Sequence, residues 1–388
     1  MASAVSNVGD GVTMAAGPLL VASITDDPAL VAGAAFVQQL PWLLLSLISG
    51  AYVDRLDRRR VIVAVNLLRG GIVGGLALSV WAGTESIPLV YAAFFLLGAG
   101  EPVADSASSA LLPSVVPKRE LPRANARLMA TFYLGNQLGA PPLGAALFVV
   151  AAALPFGFDA ATFGLAAVFV GAMRRRDIQP VPTRQRRSLR AEIAEGVRWL
   201  WRHRALRMLA VCLCLMNVTF MAAFAIFVLY ARRLGLAVIG YGLLLTASAI
   251  GGALGTLLAS RLEARLGPAV LLRAGLIIET GTHACLAITR TPWIAATVMI
   301  IFGVHGAVWG VVAVSVRQRA VPGNLLGRVT SVYFLFSVGG AVIGSLASGA
   351  LVRALGIAAP FWTSAAAMAL LTTVAWRLFT DERLGTPR

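Results

Sequence analysis

Charge is what this sequence has least of. Only 13% of its 388 residues are Asp, Glu, Lys or Arg, against about 25% in soluble domains. Lysine occurs once, at Lys118, and cysteine and histidine three times each. Cys212, Cys214 and Cys285 sit inside apolar runs, which argues against a disulfide framework or a thiolate zinc site and leaves them as small apolar side chains. No G-x-x-x-x-G-K-S/T loop is present, so ATP-driven work by this chain alone is excluded. The N-terminus lacks a basic region and a small-residue cleavage site, so no signal peptide is expected. Neither a nucleophile nor a metal cluster nor a soluble catalytic segment stands out. The expectation is therefore no enzyme, no cofactor and no metal.

What the sequence has is apolar length. Apolar side chains make up 58% of it and the mean hydropathy is +0.81. At about 20 residues per crossing, that is enough for about a dozen membrane-spanning helices. Runs of that kind lie near residues 2–24, 29–52, 61–82, 88–112, 126–150 and 154–173, and again near 208–231, 238–260, 268–288, 293–316, 329–352 and 358–379. The formal charge of +16 could suggest a nucleic-acid partner, but no long polar segment exists to carry one. Positive-inside bias accounts for it better. With both termini cytoplasmic, the inner loops and tail hold 27 of the 33 Lys and Arg residues. The expected organisation is an N-terminal six-helix bundle (1–173), a basic cytoplasmic linker (174–207), a second six-helix bundle (208–379) and a short cytoplasmic tail (380–388). Within the linker, Leu189, Ile193, Val197 and Leu200 recur at helical spacing, as in an amphipathic helix lying on the inner membrane surface. A weak repeat links the halves: Arg55-Leu56-Asp57 recurs as Arg261-Leu262-Glu263, and an Arg, Arg69 or Arg273, enters the next span.

Carboxylates inside spans are the sharpest physical signal, because an Asp at a helix centre costs about 2.5–3.5 kcal/mol even on the lenient insertion scale. Asp10, Glu101, Asp105 and Glu279 qualify as coupling sites for protons or substrate. Glu101 and Asp105 are four apart and share one face of the fourth span, with Pro102 between them to bend it. Two carboxylates held so close out of water do not both ionise cheaply, which fits a group that carries a proton. The alternative for each acid is an ion pair: Arg69 with Asp10 or a fourth-span acid, and Arg273 with Glu279. Asp159, close after Pro155, reads as a cap or rim residue near the outer interface. His283 and His305 read as histidines hydrogen-bonded within the bundle, with proton relay as the alternative.

Between the second and third spans stands G-A-Y-V-D-R-L-D-R-R-R, Gly50 to Arg60. Gly50 permits close backbone approach, Asp54 can accept from a helix N-terminus, and Arg55, Arg58 and Arg59 can anchor to carboxylates or lipid phosphates. This loop resembles the signature of the major facilitator superfamily, with Asp57 where the general form has Gly. Ser6 to Gly11 (S-N-V-G-D-G), Leu40 to Leu44 (L-P-W-L-L), Leu111 to Pro117 (L-L-P-S-V-V-P), Glu195 to Arg204 (E-G-V-R-W-L-W-R-H-R) and Arg317 to Pro322 (R-Q-R-A-V-P) narrow the resemblance. They are similar to the branch that contains enterobactin exporters and macrolide efflux proteins, over nearly the whole chain. Relative to such proteins the N-terminus looks short, and a start upstream is expected.

The resemblance implies two six-helix bundles that rock around a central site, exposing it alternately to each face. It implies a gate braced by Asp54 against the start of the eleventh span, with Arg58 and Arg59 in the same latch. It also implies export of an amphipathic organic compound from the cytoplasm by a monomer in the inner membrane, exchanged for protons across the lipid bilayer. An uncoupled or uptake carrier and a non-transporting sensor stand as alternatives. The fourth-span Arg that the superfamily often uses is missing. In the fifth span, G-N-Q-L-G-A-P-P-L-G carries Gly135, Gly139, Pro141, Pro142 and Gly144 and resembles the Gly-Pro motif of exporter branches, with Ala140 intervening before the prolines. Small residues there allow tight packing, and the prolines bend the helix.

Overall fold

The computed structural model of the chain describes residues 2–53, 56–173, 189–323 and 325–380. The described residues are helical and contain no strand. The first four spans are α1 (Ala2–Ile24), α2 (Pro28–Val53), α3 (Arg58–Trp81) and α4 (Ile87–Val115). The fifth is composite: α5 (Leu121–Thr131) passes through a π-helical stretch (Phe132–Gly139) into α6 (Ala140–Val150). The sixth is α7 (Leu154–Gly171), and α8 (Leu189–Arg202) precedes the second half. There α9 (Arg204–Phe224) and α10 (Phe227–Arg233) trace the seventh span in two pieces. Then follow α11 (Val238–Leu266), α12 (Pro268–Ile288), α13 (Pro292–Ala320), α14 (Leu326–Leu355) and α15 (Ala359–Trp376). Among the described residues, nine of these helices are long and apolar enough to cross a membrane, consistent with the twelve-span reading.

Two departures from regular α-helix have different standing. At the π stretch, Pro141 and Pro142 have no N–H to give back to the preceding turn, and the wider turns end just before them, at Gly139. The carbonyl of Leu138, one of those left over, accepts instead from the Thr246 hydroxyl at 3.3 Å. The break between α9 and α10 has no proline or glycine behind it, and we have no physical account of it.

Internal contacts divide the chain into two compact units, Met1–Arg184 with Leu236–Thr246, and Gln185–Gly235 with Ala247–Arg388. In the first, α1 packs on α6, the π stretch and α7, α3 packs on α4 and α7, and α2 packs on α4. In the second, α9 packs on α14 and α15, and α12 packs on α13 and α15. Apart from the α2–α4 pair, the same partners recur in the second half, so a repeat of packing accompanies the weak repeat in sequence. Small residues make these contacts close, as membrane helices require. A side chain at Gly144 would strike the Val12 backbone, one at Gly340 the Cys214 carbonyl and one at Gly344 the Val218 carbonyl.

The α8 helix corrects the membrane-surface reading of residues 188–203. Its apolar face is covered by protein: it packs on α9 and α14, Leu200 is fully buried in the core of the second unit, and Gly196 lies against the backbone of Arg328. Glu195 closes the contact with an ion pair to Arg328 at 2.8 Å.

Candidate functional site

In the first unit an ion pair is centred on the buried Arg69. Its guanidinium, on α3, donates to Asp10 of α1 at 2.8 Å and lies 4.4 Å from the centroid of the Phe163 ring on α7. The stem of Arg69 runs over Gly100 of α4, where a side chain would crowd it. Arg69 is 6% exposed, so its charge acts with little screening by water. Glu101 accepts a hydrogen bond from the indole of Trp42 on α2 at 3.0 Å. Asp105, one turn further along α4, is exposed. One cation is thus paired with Asp10 of α1, and Glu101 of α4 is the next residue to the Gly100 that its stem crosses.

Asp159 corrects the rim assignment. It is 1% exposed and accepts from the Thr13 hydroxyl of α1 at 2.6 Å. Thr162, one turn on, donates to the Asp159 carbonyl oxygen at 2.8 Å and lies 3.2 Å from its carboxylate. Gly9 makes room for this group, since a side chain there would collide with Asp159 and Thr162. The fifth span supports the same face of α1. Asn136, in the π stretch, donates to the Asn7 carbonyl at 3.1 Å, Gly135 lies against Val8, and Gly11 lies against the Asn136 carbonyl. Gly139 faces the Leu134 carbonyl of its own span, and Pro141 and Pro142 open α6.

The loop after α2 is described in part. Gly50 lies in the last turns of α2, while Asp54 and Arg55 lie outside the described residues. Asp57 caps α3, accepting from the backbone N–H of Arg59 and Arg60, which satisfies donors that a helix start leaves open. Arg58 donates to the Ala110 carbonyl of α4 at 2.9 Å. Arg59 donates to Val170 at 3.0 Å and to Gly171. These are the last carbonyls of α7, the negative end of its dipole. The arginines therefore clamp helix ends inside their own unit.

In the second unit, Glu279 of α12 corrects its expected pairing. Its carboxylate meets the His305 ring of α13 at 2.6 Å and His283, one turn along α12, at 3.6 Å. Arg273 stacks at 4.9 Å over the Trp376 ring of α15 instead. Six residues along a helix of 3.6 per turn is nearly two-thirds of a turn out of phase, whereas four residues return to the same face. That spacing is legible in the sequence and separates Arg273 from Glu279. The meeting with His305 depends on how α12 packs against α13, which no local pattern encodes. Among the described residues no group of three His, Cys, Asp or Glu side chains is disposed to hold a metal ion.

Comparison with known proteins places this architecture. The family model described as Major Facilitator Superfamily matches residues 1–337 and 229–388. The multidrug efflux pump Tap of Mycobacterium tuberculosis is 26% identical over 384 residues, covering 97% of this chain and 91% of the pump. The enterobactin exporter EntS of Salmonella typhi is 26% identical over 320 residues, covering 79% of this chain and 73% of the exporter. Among solved structures, the nucleoside transporter NupG superposes with a TM-score of 0.78 at 12% identity, over 98% of this chain and 97% of its own. With a family model spanning its length and a fold to match, this chain belongs to the Major Facilitator Superfamily and is a multi-pass membrane transporter.

Proposed function

We propose that this protein exports an amphipathic organic compound from the cytoplasm by alternating access, in exchange for protons, as a monomer in the cytoplasmic membrane with both termini inside. The observation that carries the reading is the Arg69–Asp10 pair, with Asp159 held to Thr13 about one turn along α1 and Glu101 next to the Gly100 that the Arg69 stem crosses. Within the bilayer, one positive charge does not neutralise both Asp10 and the buried Asp159, so one of the two is stable only with a bound proton. A proton arriving on Asp10 would free Arg69 for another of these acids, and a change of partner across three helices is a way to bias a two-state element. The resemblance to Tap and EntS along most of the chain supports the export direction and a drug-like or siderophore-like cargo. The loop from Gly50 to Arg60 would serve the inner gate, with Asp54 as its acceptor.

The test uses everted vesicles, acid-loaded and carrying a pH-sensitive dye, challenged with macrolides, catecholate siderophores and lipophilic cations. Compound-dependent proton release that disappears in Asp10→Asn, with the variant shown to be folded and inserted, supports the reading. Transport of a compound with no proton movement would replace it with an uncoupled carrier, and ligand binding without transport would favour a sensor.

A further inference from the structure

The second unit contains a cavity of about 250 Å³ between α9, α12, α13 and α14. We propose that it is a binding pocket for a small fused-ring aromatic compound bearing an N–H cation. The inference deepens the export reading by naming a substrate class for one unit, and it rests on residues that the coupling argument does not use.

Three features define the ligand. The walls are flat and apolar: Phe220 of α9 and Phe302 of α13 stack with centroids 5.6 Å apart and planes 10° from parallel, and Met216 and Trp309 line the same space. Phe224 continues the stack beyond Phe220 at 5.2 Å. Such faces favour aromatic rings and attract cations through their π electrons. The second feature is polar and incomplete. Glu279 lines the cavity and is 1% exposed, and one of its oxygens, Oε2, is taken by His305. The other, Oε1, has His283 Nε2 at 3.6 Å, beyond hydrogen-bond distance, and so has no hydrogen-bond partner, and neither has Nε1 of the buried Trp309. Buried groups left open in this way cost free energy unless something supplies the missing bond. An N–H donor would satisfy Glu279, and a ring nitrogen or oxygen would satisfy Trp309.

The third feature is charge placement. The cation that lines the cavity, Arg317, follows His305 by twelve residues on α13, about 18 Å along the helix, and it stacks on Tyr333 at 4.8 Å. The carboxylate end therefore takes a positive group without meeting Arg317. The volume falls just below the range of about 300–1,000 Å³ usual for drug-sized sites. It suits two or three fused rings rather than a macrocycle, which would place at most one of its substituents here.

The test is equilibrium binding of 9-aminoacridine to the purified full-length protein in lipid nanodiscs, read by fluorescence, with protein-free nanodiscs as the partition control. Saturable binding is expected, weakened about 10- to 100-fold by Glu279→Gln, which removes a charge-assisted bond, and about tenfold by Phe302→Leu. Trp81→Phe, on the exposed side of α3, should keep wild-type affinity, and anthracene-9-carboxylate should not compete. If Glu279→Gln is not monodisperse, Phe220→Leu provides the second reading within the pocket. Binding no greater than in protein-free nanodiscs, equal affinity in all variants, or competition by the anion would each overturn the proposal. Binding here without compound-dependent proton release would leave the pocket standing and remove the exchange mechanism; the reverse pattern would remove only the pocket.

Discussion

Arg69 and Asp10 form an ion pair at 2.8 Å between α3 and α1, with the arginine side chain 8% exposed and the aspartate 22%. Removing either partner alone strands the other in a poorly solvated place. Replacing both removes the attraction and the desolvation cost together. We expect Asp10→Asn and Arg69→Gln each to cost about 3–5 kcal/mol, and the double variant to recover part of that loss. Thermal unfolding of the four proteins in detergent gives the cycle. Additive single effects would mean that the two side chains do not act as a pair.

Asp159 bridges α7 to α1 through the Thr13 hydroxyl. Asn in its place keeps an oxygen that accepts, so Asp159→Asn should fold with near-normal stability. Asp159→Ala leaves the Thr13 hydroxyl unpaired and should lose about 1–3 kcal/mol. If Asp159→Asn also stops compound-dependent proton release while remaining folded, the acid belongs to the coupling set. Retained release would confine it to joining the helices.

Arg59 occupies the final carbonyls of α7, at Val170 and Gly171. Arg59→Ala should fray that end, seen as faster amide hydrogen exchange over the last turn of α7, with a stability loss of about 1 kcal/mol. Arg59→Lys should restore little of the protection, because an ammonium does not reproduce the two-pronged geometry of a guanidinium. Full protection in Arg59→Ala would show that the clamp is dispensable.

Gly344 and Gly339 sit on the same helix but in different surroundings. A side chain at Gly344 would strike the Val218 backbone, whereas one at Gly339 meets nothing within 4 Å. Gly344→Leu should abolish the yield of monodisperse protein, since neither α9 nor α14 can give way at the backbone. Gly339→Ala should be tolerated. Equal yields for the two variants would contradict the close approach of α9 and α14.

How much of this is legible in the sequence depends on the distance over which each feature is encoded. Span boundaries are local properties of apolar length, and α1 and α12 fall on their expected residues, 2–24 and 268–288. Intramembrane acids are likewise visible one at a time. Their partners are not, because partners come from other helices. Asp159 looks peripheral from its closeness to Pro155, yet a hydroxyl 146 positions away draws it inward. The α8 helix shows the same limit: its amphipathic pattern correctly implies that one face is covered, but the pattern is the same whether lipid or a neighbouring helix covers it. The signal that could have favoured protein is Gly196, whose missing side chain allows the backbone contact with Arg328.

The π-helical stretch from Phe132 to Gly139 gives the fifth span a property that a uniform helix lacks. A widened turn holds slack, in the sense that it carries more chain per turn than the helix on either side. If one residue of that slack were taken up into ordinary α geometry, everything beyond it would swivel by about 100° relative to everything before. Asn136, which holds the carbonyl of Asn7 from within the stretch, would then lose its grip on α1, while the carbonyl of Leu138 would leave the hydroxyl of Thr246. The widened turn of the fifth span is therefore held at two points within it, by α1 through Asn7 and by the hydroxyl of Thr246.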